Sequence, residues 1–154
     1  MWAMAVLVGA MASGAHAPAG AVEVISYRTG PCFGTCPVYR ITVAADGRAL
    51  WEGERFVTVR GRRSFRVTPA QFAEFRRRLE AARPTGDLSL IGGPACRFIA
   101  TDQITVDVRW SGDGRARSHL NAYFGCDMET NAVLFKALAD APNALPLTKL
   151  VGRR

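Results

Sequence analysis

Lysine and histidine are scarce in this chain. Of its 20 lysines and arginines only Lys136 and Lys149 are lysine, and the two histidines are His16 and His119. The sequence also lacks a G-x-S-x-G nucleophile elbow, an H-E-x-x-H zinc motif, a P-loop and a dinucleotide-binding fingerprint. These absences remove the familiar signatures of hydrolases, metalloproteases and nucleotide-binding enzymes. No residue is predicted to be catalytic, and no metal or cofactor is expected.

The formal net charge is +7, which favours anionic partners. Four arginines are predicted to face solvent and form a candidate anion-binding stripe: Arg40, Arg60, Arg62 and Arg66. Two alternatives remain, a merely solvated sheet face and an arginine excess that reflects GC-rich coding. The expected partner is an envelope protein or an anionic polymer, and no specific nucleic acid.

Residues 1–21 contain no charged side chain. Residues 2–12 form an apolar run followed by small residues, which is the pattern of a secretory signal, although no basic residue precedes the run. The run is shorter than the roughly 20 residues of a membrane span. We therefore expect residues 1–19 to be a signal peptide and residues 20–154 to be one domain, periplasmic or secreted, with no membrane span in the mature chain.

Alternating apolar residues predict an antiparallel sheet built from hairpins. Asp46-Gly47 supplies one tight turn and Ser111–Gly114 another, because glycine accepts the positive φ that such turns need. A bulge or turn is expected near Gly61 in the longest of these segments. The predicted strands are residues 22–28, 37–43, 48–54, 56–67, 101–110 and 115–124.

Two helices are predicted. The first begins at Thr68-Pro69-Ala70-Gln71, which has the form of a capping box with proline in the first turn, and it ends before Pro84. Pro84 to Ala100 is predicted to be an irregular link. Asp127 is the expected cap of the second helix, whose predicted apolar face is Val133, Leu134, Ala137, Leu138 and Ala141. The fold class is therefore α+β, an antiparallel sheet with two helices packed on one face.

Four cysteines in an exported chain indicate disulfides. Three pairings are possible, and we favour the two local ones: Cys32 with Cys36, and Cys96 with Cys126. The first pair would fix the shape of a candidate binding loop, Phe33-Gly34-Thr35. Phe33 is expected to turn inward as a cap on the sheet; the alternative is an outward anchor for a partner.

Thiol-disulfide redox chemistry or copper handling is the alternative use of Cys32 and Cys36, since a C-x3-C-P run resembles known thiol motifs. Those motifs need a helix after the first cysteine to lower the thiol pKa, whereas the residues after Cys36 alternate as in a strand. A metal site would have to recruit His119 from far along the chain, and it is disfavoured.

The run from Pro31 to Tyr39, followed by Asp46-Gly47, resembles the Cys-Phe-Gly-Thr-Cys-Pro signature of a bacterial domain family of unknown function. The resemblance continues through Trp51–Gly53 and the Thr68 helix to the final helix. It implies a small exported α+β domain, sometimes on a lipoprotein, and no established activity. Many members lack counterparts of the second cysteine pair, and this chain lacks a lipobox cysteine. The predicted function is thus an exported binding or structural module, and an enzyme is not expected.

Overall fold

The computed structural model describes residues 20–152, so the predicted signal peptide, residues 1–19, lies outside the described residues. Seven strands form one sheet in the order β4-β3-β2-β1-β6-β7-β5. Five neighbouring pairs are antiparallel, and β5 runs parallel to β7. The strands are β1 (Val24–Thr29), β2 (Val38–Ala44), β3 (Arg48–Arg55), β4 (Gly61–Arg66), β5 (Asp87–Leu90), β6 (Thr105–Ser111) and β7 (Ser118–Tyr123).

Three α-helices accompany the sheet: α1 (Pro69–Glu80), α2 (Ala132–Asp140) and the short α3 (Thr148–Val151). The predicted capping box is present at the start of α1, where Thr68 Oγ1 accepts from the Gln71 amide and Gln71 Oε1 accepts from the Thr68 amide. No helix within residues 20–152 is long and apolar enough to cross a membrane. The α+β class and a mainly antiparallel sheet are as the sequence predicts.

The core lies between one face of the sheet and the helices. Tyr27 in β1 contacts both larger helices: its ring packs edge-on against Phe75 of α1, and its hydroxyl donates to the Leu138 carbonyl of α2 at 2.9 Å. Trp51 in β3 is fully buried and stacks on Tyr39 with ring centroids 4.8 Å apart. We call the opposite side of the sheet, where polar residues alternate with the buried ones, the open face.

The segment from residue 56 to 60 is not a strand, although the sequence predicts one. Its polar backbone groups bond to a side chain of β3 and to the C-terminal segment, and not to the backbone of a neighbouring strand. The Val59 carbonyl accepts from the Trp51 indole at 2.8 Å, and the Thr58 and Val59 amides donate to the carbonyls of Val151 and Leu150. The C-terminal segment thus ties this loop down, a distant contact that local alternation does not reveal.

The prediction of an irregular link between Pro84 and Ala100 is also wrong in part, because β5 lies within it. This strand has four residues and is held by parallel pairing to β7, about 30 residues further along the chain. A stretch that short contains too few alternations to signal a strand.

The second helix begins later than predicted, with Asn131 at the cap position and no side-chain cap. Asp127 instead takes a positive φ of 43°. The predicted apolar face is also partly wrong: Val133 is 84% exposed, whereas Phe135 is buried and stacks on Phe124. Because most residues of α2 are apolar, the sequence pattern alone does not single out one face.

Candidate functional site

Four loops meet at one end of the sheet, and both disulfides lie there. The strand registers place the ends of β1, β3, β5 and β7 and the beginnings of β2, β4 and β6 at the same end of the sheet. The loops at this end are residues 30–37, 56–60, 91–104 and 124–131. We call this group of loops the disulfide end.

The first loop is closed by a disulfide between Cys32 and Cys36, whose Cα atoms are 5.8 Å apart. Thr29 secures its base, because the Thr29 hydroxyl donates to the Pro37 carbonyl at 2.7 Å and accepts from the Tyr39 amide. Gly34 has a φ of +140°, a conformation that L side chains rarely adopt. A crosslink, a side-chain clamp and a glycine thus hold five residues in one shape.

Phe33, at the tip of this loop, is 87% exposed. The expectation that it caps the sheet is therefore wrong, and the outward alternative describes its position. Thr35 is exposed beside it.

Phe56 projects from the neighbouring loop, 47% exposed and with a positive φ of 53°. A shallow groove of about 520 Å³ runs between the two loops and is lined by Phe33, Phe56 and Val151 together with the disulfide. The two aromatic rings therefore belong to one continuous surface.

The second disulfide, Cys96–Cys126, is buried, with its Cα atoms 5.2 Å apart. Asp127 reinforces it, because its carboxylate accepts from the amides of Arg97 and Phe98 at 2.9 and 2.8 Å. Phe98 is 74% exposed. A groove of about 430 Å³ separates Phe98 from Met128. This half of the disulfide end therefore also presents an aromatic ring on a braced loop.

Exposed large apolar side chains are concentrated at the disulfide end. Among residues 20–152, nine such side chains are exposed; of these, Val22 lies at the opposite end, Leu88 within β5, and Val133 in the first turn of α2 just after the loop 124–131. The turns at the opposite end of the sheet carry mainly charged and small residues. The six at the disulfide end are Phe33, Phe56, Ile91, Phe98, Ile99 and Met128. Clustering of this kind marks an interaction surface, whereas scattered single residues do not.

Three observations concern the groups that redox or metal chemistry would use. The residues after Cys36 form strand β2, so no helix N-terminus lies against the first disulfide. His119 is on the open face, where its Nε2 lies 2.5 Å from Asp107 Oδ2. Within residues 20–152 no three His, Cys, Asp or Glu side chains are placed to hold a metal ion.

The four arginines of the predicted anion-binding stripe do not form one row. Arg62 pairs with Glu52 at 2.9 Å. Arg66 lies four residues further along β4, and Arg60 is in the loop before that strand. Arg40 is on β2, on the same open face. A salt-sensitive affinity for polyanions stays a prediction, and it is tested by heparin retention when three of these arginines are replaced by glutamine.

Sequence reasoning singled out Phe33 but missed Phe56, Phe98 and Met128. A signal for two of them was present, since Phe98 and Met128 each follow a cysteine by two positions. In both cases the crosslink fixes the loop that carries the residue. No comparable signal marks Phe56, whose exposure depends on the contact between its loop and the C-terminal segment.

No curated protein and no solved structure matches this chain significantly. A family model, Domain of unknown function (DUF6438), matches residues 23–141, from the start of β1 to the end of α2. The match spans most of the sequence, and the chain therefore belongs to the DUF6438 family.

Proposed function

We propose that this protein is an exported, non-enzymatic binding module that contacts a protein partner through its disulfide end. The observation that carries the proposal is the concentration of six exposed large apolar side chains on four loops at that end. Binding residues are commonly placed on loops that a rigid scaffold positions.

Rigidity makes these side chains suitable anchors. Aromatic residues dominate the binding energy of interfaces, and each can bury about 150–250 Å². A loop that is already fixed loses little conformational freedom on binding. Phe33 and Phe98 are aromatic, and each lies on a fixed loop within two residues of a disulfide-bonded cysteine.

Export is supported by the disulfides and by the sequence before the domain. Disulfides persist in oxidising compartments, and the two in this chain use all four cysteines. The uncharged, apolar run in residues 2–12 has the composition of a secretory signal. The partner is therefore a protein of the periplasm, the cell envelope or the medium.

Site-specific photo-crosslinking tests the proposal. A benzoylphenylalanine is placed at Phe33, Phe98 or Val22 in the producing cell; Val22 is also exposed and apolar but precedes β1 at the opposite end of the sheet. We expect positions 33 and 98 to capture the same protein and position 22 not to capture it. Capture that is equal from all three positions would contradict the proposal.

Affinity for the captured protein then gives a quantitative check. Phe33→Ala is expected to weaken binding about 30-fold, which corresponds to the roughly 2 kcal/mol of an interface hot spot. Val22→Ala is the matched control, because Val22 is also exposed and apolar but precedes β1 at the opposite end of the sheet. Equal affinities for the two variants would place the contact elsewhere.

A thiol-disulfide function is the second candidate, and one observation favours it. Cys32 and Cys36 are half-buried at the surface, whereas Cys96 and Cys126 are buried. The test is a Cys36→Ser variant, which leaves Cys32 free. If the function is redox, this variant accumulates a mixed disulfide with its partner. If only the contact surface functions, Cys32 forms no such adduct, and the crosslinks from position 98 persist.

A further inference from the structure

A second, polar groove of about 380 Å³ lies on the open face of the sheet. Its wall beside the first loop is Gly30-Pro31, and its floor is formed by strands β2, β1, β6 and β7. We call it the arginine groove, after the three arginines that line it: Arg28, Arg40 and Arg109. Its polar lining separates it from the apolar surface of the disulfide end.

The strand registers place the key residues side by side. Arg40 is opposite Arg28, Arg28 is opposite Asp107, and Asp107 is opposite Asn121. Neighbouring strands are about 4.8 Å apart, so these four positions span about 14 Å across the sheet. Like charges directly opposite each other destabilise a strand pair. The pairing of Arg28 with Arg40 is therefore unfavourable unless negative charge lies nearby.

The protein places a carboxylate beside each arginine of this pair, but the one beside Arg40 is engaged by another arginine: Glu52, directly opposite Arg40, accepts from Arg62 at 2.9 Å. Glu54 binds Arg28 through both carboxylate oxygens, at 3.0 and 3.2 Å. Asp107 accepts from Arg109 at 3.2 Å and also contacts His119.

Arg40 is exposed and makes no hydrogen bond or ion pair with any residue in the described part of the chain. Its guanidinium group therefore keeps all five N–H donors for a ligand, in the planar fork that fits a carboxylate.

Asn121 lies at the other side of the groove. Its Oδ1 is buried and has no hydrogen-bond partner among residues 20–152. A buried acceptor without a partner is costly, by about 1–3 kcal/mol. Asn121 also lines the groove, which places its side-chain amide at the site. A hydroxyl or N–H group of a ligand would then satisfy it.

We infer that the arginine groove binds a carboxylic acid that also carries hydroxyl groups, of the size of a sugar acid. The carboxylate pairs with Arg40 and offsets the repulsion between Arg40 and Arg28, while a hydroxyl donates to Asn121. The volume fits one monosaccharide unit, since small-molecule sites begin at about 300 Å³. The inference does not depend on the proposed contact at the disulfide end.

An NMR titration with D-glucuronate tests it, with D-glucose and neutral glucuronamide as ligand controls. We expect saturable shifts of backbone amide signals in β1, β2 and β6 at millimolar glucuronate, and none with either control. Arg40→Gln is expected to weaken binding at least tenfold, equivalent to about 1.4 kcal/mol. Arg117→Gln removes the same charge from another exposed arginine, one that does not line the groove, and should leave the affinity unchanged.

Further ligands identify the source of the acid. If the groove holds one unit of a chain, tri-galacturonate binds more tightly than galacturonate; if it holds a free acid, the monomer binds at least as well. Equal binding of sulfate and glucuronate would overturn the assignment to a carboxylate. An absence of saturable shifts would contradict binding in the groove. An equal loss of glucuronate affinity in Arg40→Gln and Arg117→Gln would also contradict it.

Discussion

Replacing Phe33 with alanine is expected to leave the stability of the domain nearly unchanged. With 87% of its surface exposed, Phe33 buries on the order of 30 Å² of the roughly 200 Å² that a phenylalanine can bury. At about 25 cal/mol per Å² the loss is about 0.7 kcal/mol. Phe75 provides the contrast, because it is fully buried against Tyr27. Truncation of a core phenylalanine costs about 3–5 kcal/mol.

Urea unfolding followed by fluorescence measures both changes. The midpoint of Phe33→Ala should lie close to that of the parent protein, with an unchanged slope, while the midpoint of Phe75→Ala should fall strongly. A loss of 3 kcal/mol or more in Phe33→Ala would refute the reasoning. It would show that the ring packs against the sheet in solution and that the disulfide end lacks its most exposed anchor.

The remaining predictions concern a crosslink, a glycine and a buried ion pair. Cys96→Ser, Cys126→Ser and the double variant should each lose about 3.5 kcal/mol in thermal or urea unfolding, because breaking either half removes the whole crosslink. A double variant much less stable than the single ones would contradict the pairing. Gly34→Val should cost more than the roughly 0.5 kcal/mol of an ordinary surface change, since valine is strained at a φ of +140°; an unchanged unfolding midpoint would show that the loop relaxes. The carboxylate of Asp113 accepts from Arg83 and Arg115, which holds its pKa below the usual value. The Asp113 carboxylate therefore stabilises the folded state fully above about pH 4, its pKa in the unfolded chain. This stabilisation is lost as the pH falls through the lower pKa of the folded state. Asp113→Asn should lose about 2 kcal/mol at pH 7, the size expected for a hydrogen bond to a charged group, and show less of this acid sensitivity; identical pH profiles for variant and parent would contradict the assignment.

Local sequence signals account for much of the fold. The start of α1 is predictable because a capping box is formed by residues three positions apart. The hairpin turns are predictable for the same reason, since the turn residues themselves accept the required φ, as Gly47 does at +86°. Elements of this kind need no information from distant parts of the chain.

The errors concern features that distant contacts determine. β5 exists because β7 lies beside it, and residues 56–60 leave the sheet because the C-terminal segment supplies their partners. For the candidate site, the Cys32–Cys36 loop and its Gly34 conformation could be predicted from the sequence. The outward direction of Phe33 could not, because an aromatic residue in a loop fits a core cap equally well.

The central position of β1 has a consequence for how the chain assembles. Its second neighbour, β6, follows about 80 residues later in the sequence. Until β6 reaches the compartment in which the domain folds, one edge of β1 stays unpaired, and open edges invite association with other chains. The Cys32–Cys36 crosslink can close within this interval, because both cysteines lie between β1 and β2. The Cys96–Cys126 crosslink has to wait until β6 and β7 have emerged, so the order in which the two bonds form reports the progress of folding.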